Sequence, residues 1–411
     1  MRNLDPHDSF LLLGIDEEPE EEKSAKHLGF HEDFAQSRSW QQEEQDSPPS
    51  HVDDESTSTI ESPGSNSQLI HPLSRDLVID CLLRLPRSNY GVLASLNRTF
   101  RSLLRSGELY KLRRQACVSE HWLYISCNSR EWEAFDVSQR RWMRLPRMPP
   151  TACAKSSDNE SAAAAVGTHL LVWGRGVAPR AVIKYSVLTN SWSPAAAVNT
   201  PRRLSGFASL GEIAISAGGI DEQGKILNSA ELYNSEMETW VALPSFQKAR
   251  YNCLAFFLDG KFYIMGGVGS NREPYTCAEE YDLEKGVWRN VGDMHPAWCA
   301  PTGPPISVVV VKNELYMADH AAKEVRKFRR ENSRWVKVGR LPEKVAPSNG
   351  WGFGFRGCGE RIMVVGGERG VKKGSLELYS WEPTDGVPPK WELLASRPSG
   401  KFLYSFAVMG C

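Results

Sequence analysis

Residues 204–243 read LSGFASLGEIAISAGGIDEQGKILNSAELYNSEMETWVAL, and the punctuation of that stretch decides the fold. It divides into LSGFASLG, EIAISAGG, a polar stretch DEQGKILNS and AELYNSEMETWVAL, short β-favouring runs split by Gly, Asp and Asn turn residues, the pattern of antiparallel strands joined by tight loops. Residues 253–291 repeat the order as CLAFFLDG, KFYIMGG, VGSNREPYTC and AEEYDLEKGVWRNV. Four short strands, a to d, fit each copy. Outward from these two copies a ladder of tryptophans marks the rest: Trp142, Trp192, Trp240, Trp288, Trp335 and Trp391, at gaps of 50, 48, 48, 47 and 56 residues. Five have an aromatic seven positions earlier: Phe135, Tyr185, Tyr233, Tyr281 and Phe328. A period near 50 means one small unit copied six times.

No single four-stranded sheet hides both faces, so the copies must pack radially. The Tyr of strand c and the Trp at the start of strand d are expected to fill the wedge between sheets, since each large aromatic buries roughly 150–250 Å². Glycine doublets close strand b at Gly218-Gly219, Gly266-Gly267 and Gly366-Gly367, where positive φ and close backbone approach are expected. Copy two has Trp173-Gly174 in that place and copy five Ala318-Asp319. The doublet, Tyr and Trp together resemble the kelch repeat over residues 120–411, which implies a six-bladed β-propeller. The first copy begins directly at strand b with His121-Trp122-Leu123-Tyr124-Ile125-Ser126, and residues 401–410 read as a lone strand a. The simplest account is that this last strand completes blade one and closes the ring, removing an exposed sheet edge.

The formal net charge of −1 conceals an asymmetry. Residues 1–68 carry 17 acidic and 4 basic residues, a balance of −13, while the remainder carries 45 basic and 33 acidic, a balance of +12. The first segment, rich in Ser, Gln and Pro as well, reads as a disordered acidic tail. Nine cysteines are scattered without a C-x-x-C pair and no secretory leader is recognisable, which favours a reducing compartment, nucleus or cytoplasm. Phe10–Ile15 is too short an apolar run for a membrane span.

Residues 69–116 change character. Leu73, Leu77, Leu82 and Leu85 keep helical spacing, with Ser74 and Asp76 as capping candidates and Pro86 as the stop. Leu93, Leu96, Phe100, Leu103 and Leu104 give a second helical period, and Glu108-Leu109-Tyr110 opens a third. So short a helical set lacks chain for a core of its own and is expected to complete its packing on a partner. The order of Leu73, Leu77, Leu82, Leu85-Pro86, Leu93, Leu96-Asn97 and Phe100-Arg101-Ser102-Leu103 resembles the F-box, with Leu73-Ser74 where that family usually has Leu-Pro. F-box followed by kelch repeats is the layout of the plant F-box/kelch-repeat proteins. The resemblance implies that Leu73, Leu77, Leu82, Leu85, Pro86, Leu93 and Leu96 bind a Skp-type adaptor and through it a cullin.

Because strands alternate in direction, the d–a and b–c loops share one face and the a–b and c–d loops the other. The helices join at the start of strand b in blade one, on the a–b/c–d face, which leaves the opposite face for a protein substrate. Candidates there are Arg202, Arg203, Arg250, Tyr251, Asn349, Trp351 and Lys401 before strands a, and Arg175, Asp221, Asn271, Arg272, His320 and Arg369 between strands b and c. The arginine excess suggests an acidic or phosphorylated target. Copper oxidases occur among kelch-type propellers, but only His121, His169, His295 and His320 fall in the ring, in separate copies, and His295 with Cys299 is a lone pair. No P-loop, nucleophile elbow or nucleic-acid module stands out. The expectation is a cofactor-free, non-catalytic substrate-recognition subunit of a Skp–cullin–F-box ubiquitin ligase; the alternative is a kelch scaffold outside any ligase.

Overall fold

The computed structural model describes residues 73–127, 131–149, 161–174, 182–296, 306–345, 352–367, 374–398, 403 and 405–411. The expected tail over 1–68 lies outside them. Among the described residues the strands form six four-stranded antiparallel sheets, each ordered a, b, c, d. Blade three is Gly206–Leu210, Ile213–Ala217, Ala230–Asn234 and Thr239–Leu243; blade four is Leu254–Leu258, Lys261–Met265, Cys277–Asp282 and Val287–Asp293. Neighbouring strands a meet in a closed cycle about the axis, so strands d lie outermost. The chain is a six-bladed propeller.

Blade one is assembled from distant segments: strand b His121–Ser126, c Trp132–Asp136, d Arg141–Arg144 and, as strand a, Ser405–Gly410. His121 lies opposite Gly410 and Ser126 opposite Ser405. The bridge between blades six and one is partly ionic and partly π in character. Arg397 of blade six sits 4.1 Å over the Trp142 ring and donates to Glu133 of strand c.

The tryptophan ladder fills the wedge expected of it, since each Trp packs in an apolar cluster shared with the preceding blade of the ring, and it does more besides. In blades one to five each Trp lies directly across from its aromatic partner: Phe135 with Trp142, Tyr185 with Trp192, Tyr233 with Trp240, Tyr281 with Trp288, Phe328 with Trp335. Most of these indoles are only half-buried. Their second contribution is a hydrogen bond to the preceding blade: Trp192 Nε1 donates to Pro146 O at 2.7 Å, Trp240 to Ala196 O at 3.2 Å, Trp288 to Pro244 O at 2.7 Å, Trp335 to Met294 O at 2.7 Å and Trp391 to Arg340 O at 2.8 Å. These five Trp thus pack on an aromatic of their own blade and tether the one before it. Trp391 precedes its strand and meets Trp381 edge-on instead, because a longer c–d connection shifts blade six out of the common spacing.

A polar residue follows the strand-c aromatic in four blades and turns the chain into strand d. Asp136, Asn234 and Asp282 each accept two backbone N–H groups of the next turn, and Ser186 accepts the Leu188 N–H. At the doublet of blade three, Gly218 has φ +68°, and a Cβ there would meet Arg250 O at 2.5 Å. Only glycine admits the next blade's loop so closely.

Candidate functional site

Among the described residues four short α-helices precede the ring: α1 Arg75–Leu83, α2 Tyr90–Leu96, α3 Arg98–Arg105 and α4 Glu108–Gln115. Ser74 caps α1 by accepting the Leu77 N–H. The continuous period expected from Leu93 to Leu104 is broken at Asn97. Its backbone is extended there, and its Oδ1 accepts the Phe100 N–H at 2.8 Å to start α3. Pro86 ends α1 as expected of it, and Arg113 of α4 supplies the stranded carbonyls: its Nη1 donates to Leu83 O at 2.9 Å and Leu85 O at 2.8 Å.

The helices draw their core from the propeller. Val78, Ile79, Leu82, Tyr90, Phe100, Leu103, Leu104, Leu109 and Tyr110 belong to one buried cluster with Tyr124 and Trp132 of blade one, Leu170, Val172 and Tyr185 of blade two, and Met409 and Cys411. Packing on a partner is therefore met within the chain for this side of the layer. Polar contacts lie above the shared core. Arg87, 5% exposed, stacks its guanidinium 4.2 Å over Trp122 and donates to Cys411 Sγ at 3.0 Å, Tyr124 Oη at 3.2 Å and Glu120 O at 3.3 Å. Burial opposes its charge, yet the neighbouring Cys411, Tyr124 and Tyr110 carry its proton affinity above the ordinary value. Burial pushes the Tyr124 phenol up to about 12. Lys111 pairs with Glu236 at 2.8 Å and Arg114 with Glu212, both on turns of blade three. The helices consequently sit on the a–b/c–d face.

The other side of the layer is open and apolar. Leu73 is 40% exposed, Leu77 56% and Leu96 63%. Val92, which the sequence reading passed over, is 65% exposed four residues before Leu96 on the same face of α2. Leu82 belongs to the shared core at 4% exposure, which corrects its place among the contact residues. Leu85 and Leu93 pack partly against that core, and Pro86 is half-buried.

On the d–a/b–c face the arginine candidates separate. Arg203, Asn271 and Arg272 are exposed, and Tyr251 is half-buried where it bridges Val268. Arg202 and Arg250 are buried, which corrects their reading as exposed anchors. Arg250 Nη1 donates to Gly266 O at 3.0 Å and Cys277 O at 2.9 Å, and Nη2 to Glu279 Oε1 at 2.7 Å. Glu279 in turn accepts the Gln247 and Lys248 N–H groups. Arg202 repeats the brace 48 residues earlier with Gly218 O, Ser229 O and Glu231, whose carboxylate accepts the Asn199 and Thr200 N–H groups. Both fix the loop entering strand a. Tyr275, also missed in sequence, lies 5.4 Å from Lys248 Nζ and 5.2 Å from the Arg250 guanidinium. Asp221 shapes its own b–c turn by accepting the Gln223 and Lys225 N–H groups. His320 is buried against Phe353 with neither ring nitrogen hydrogen-bonded, and burial pushes it down to about 4. Asn349, Trp351, Arg175, Arg369 and Lys401 lie outside the described residues.

Among the described residues no cluster of three His, Cys, Asp or Glu could hold a metal ion, and no helix is long and apolar enough to cross a membrane. Among the described residues Cys81, Cys117, Cys253, Cys277, Cys358 and Cys411 form no disulfide.

Comparison with known proteins agrees with the geometry. The Kelch motif profile matches residues 201–247 and 249–295, which are blades three and four. F-box/kelch-repeat protein SKIP11 of Arabidopsis thaliana is 50% identical over 354 residues, 84% of this chain and 75% of that protein. Two further Arabidopsis F-box/kelch-repeat proteins, At1g26930 and At1g74510, are 47% and 44% identical over 85% and 82% of this chain and 85% and 78% of their own lengths.

Proposed function

Since the chain belongs to the F-box/kelch-repeat proteins, we propose that it is the substrate-recognition subunit of a Skp–cullin–F-box ubiquitin ligase. The kelch propeller is a protein-interaction domain. In this reading α1 and α2 dock the Skp-type adaptor through Leu73, Leu77, Val92 and Leu96, and the d–a/b–c face holds the target. The chain performs no catalytic step; it raises the effective concentration of target lysines at the ubiquitin-charged enzyme. The observation that carries the reading is the apolar side of α1 and α2, left open while the other side of the same helices is fused into blades one and two.

On the target side, Lys248 beside the Tyr275 ring and the exposed Arg203 and Arg272 of the same face suit an acidic or phosphorylated segment. The compartment we assign is nucleus or cytoplasm. The test is binding of purified Skp-type adaptor to the full chain and to Leu77→Asp and Leu96→Asp. These side chains are exposed, so the variants keep the wild-type melting temperature while losing at least about tenfold in affinity, the scale of one apolar anchor. No binding by wild type would favour a kelch scaffold outside any ligase.

A further inference from the structure

The basic side chains of the helical layer fall into two populations. Residues 73–116 hold nine Arg or Lys against three Asp or Glu. Several are matched: Arg75 with Glu108 at 2.8 Å, Arg113 with Glu120 at 2.9 Å, Lys111 with Glu236 at 2.8 Å, and Arg114 with Glu212. Arg98, Arg101 and Arg105 are not; among the described residues none has a carboxylate partner, and all three are exposed. Their spacing of three and four places them on one face of α3, opposite the buried Phe100, Leu103 and Leu104. Arg101 Nε donates to Ala94 O at 3.0 Å, which brings its guanidinium to the end of α2 that carries Leu96. The cationic stripe therefore borders the apolar face of Val92 and Leu96.

We propose that this stripe receives an acidic segment of the adaptor that covers α1 and α2, and that it steers that partner onto the apolar face. The inference rests on the adaptor reading above. Three like charges held along one helix face repel each other mildly, and carboxylates of a partner that covers Leu96 would relieve that repulsion. Nucleic acid fits less well: Arg75, Lys111, Arg113 and Arg114 are ion-paired and Arg87 is buried, so besides Arg84 the exposed unpaired cations of the layer are the three of the stripe, too few for an extended phosphate track.

Association kinetics decide it, using the full chain and purified Skp-type adaptor at low and moderate NaCl. For wild type the association rate should fall roughly tenfold between about 50 and 300 mM salt. Arg98→Glu/Arg105→Glu should associate on the order of 10–100-fold more slowly at low salt, with a flat salt profile and a dissociation rate changed less than about threefold. Arg98→Lys/Arg105→Lys should behave as wild type. Tight but salt-independent binding, or binding indifferent to charge reversal, overturns the stripe and leaves the docking face standing. Absence of wild-type binding removes both. If charge reversal abolishes binding to anionic vesicles or RNA while adaptor kinetics stay unchanged, the stripe belongs to a different ligand.

Discussion

Blade four and the helix–propeller junction each bury an arginine, and they do so to different ends. Arg250 meets a carboxylate, Glu279, with both side chains fully buried, and together they tie a loop to its own blade. Arg87 has no carboxylate at its guanidinium: its partners are a thiol, a phenol, a carbonyl and an indole face, drawn from residues 411, 124, 120 and 122. The first arrangement closes a repeating unit and recurs 48 residues away at Arg202 and Glu231. The second occurs where the helices, strand b of blade one and the closing strand meet. Repetition stabilises the ring, and the unrepeated cross-link at Arg87 joins the shared core and the Lys111 and Arg114 ion pairs in holding the helices to it.

Deleting residues 405–411 breaks this contrast most severely. It opens the ring at blade one and removes Cys411 from beneath Arg87, so ring and helices should lose cooperative melting together and the product should aggregate. A soluble deletion with a single intact calorimetric transition contradicts the shared junction. Next in size, Arg250→Ala strands Glu279 in the interior and should cost about 3–5 kcal/mol in urea unfolding. Arg250→Met/Glu279→Leu should recover most of that, because no buried charge is left unpaired.

Arg87→Ala sharpens the comparison at the other site. Loss of the indole contact and three hydrogen bonds should cost about 2–4 kcal/mol, with helical signal melting ahead of the propeller. Arg87→Lys should restore little, since an ammonium cannot reproduce the planar fork. A single unshifted transition would contradict the junction's role.

The smallest effect is a pH dependence. His320 is depressed to about 4 from 6.5, so between those values the unfolded chain binds a proton that the folded chain does not. Its contribution is present in full above about pH 6.5 and declines as pH falls through that window, by up to about 3 kcal/mol. His121, His169 and His295 are depressed by burial too and act in the same direction. Chemical unfolding of His320→Phe at pH 7 and pH 4.5 should show a shallower decline than wild type.

The same contrast explains what the sequence disclosed. Blade number was legible because Trp and its partner aromatic recur at fixed distance, and a period survives even where the glycine doublet is lost, as at Ala318-Asp319. The hydrogen bond from five of these Trp to the preceding blade was not legible, because its acceptor is a backbone carbonyl that any residue supplies. Arg202 and Arg250 misled for a related reason. Position before strand a was readable, but direction depends on Glu231 and Glu279, each 29 residues on. Those glutamates share the 48-residue repeat, and that shared period is the signal that could have exposed the pairing. In the helices, spacing found the apolar positions but could not divide Leu82 from Leu77. The division depends on where blades one and two lie, and that is set by residues such as Tyr185 and Met409 far along the chain.

Hydrogen exchange of the full chain with and without purified Skp-type adaptor tests the central claim most directly. Slowed exchange should be confined to α1, α2 and the rim of α3, while the d–a/b–c loops of blades three and four exchange as in the free protein. Unchanged exchange in the helices, or protection appearing on those loops instead, would contradict the account.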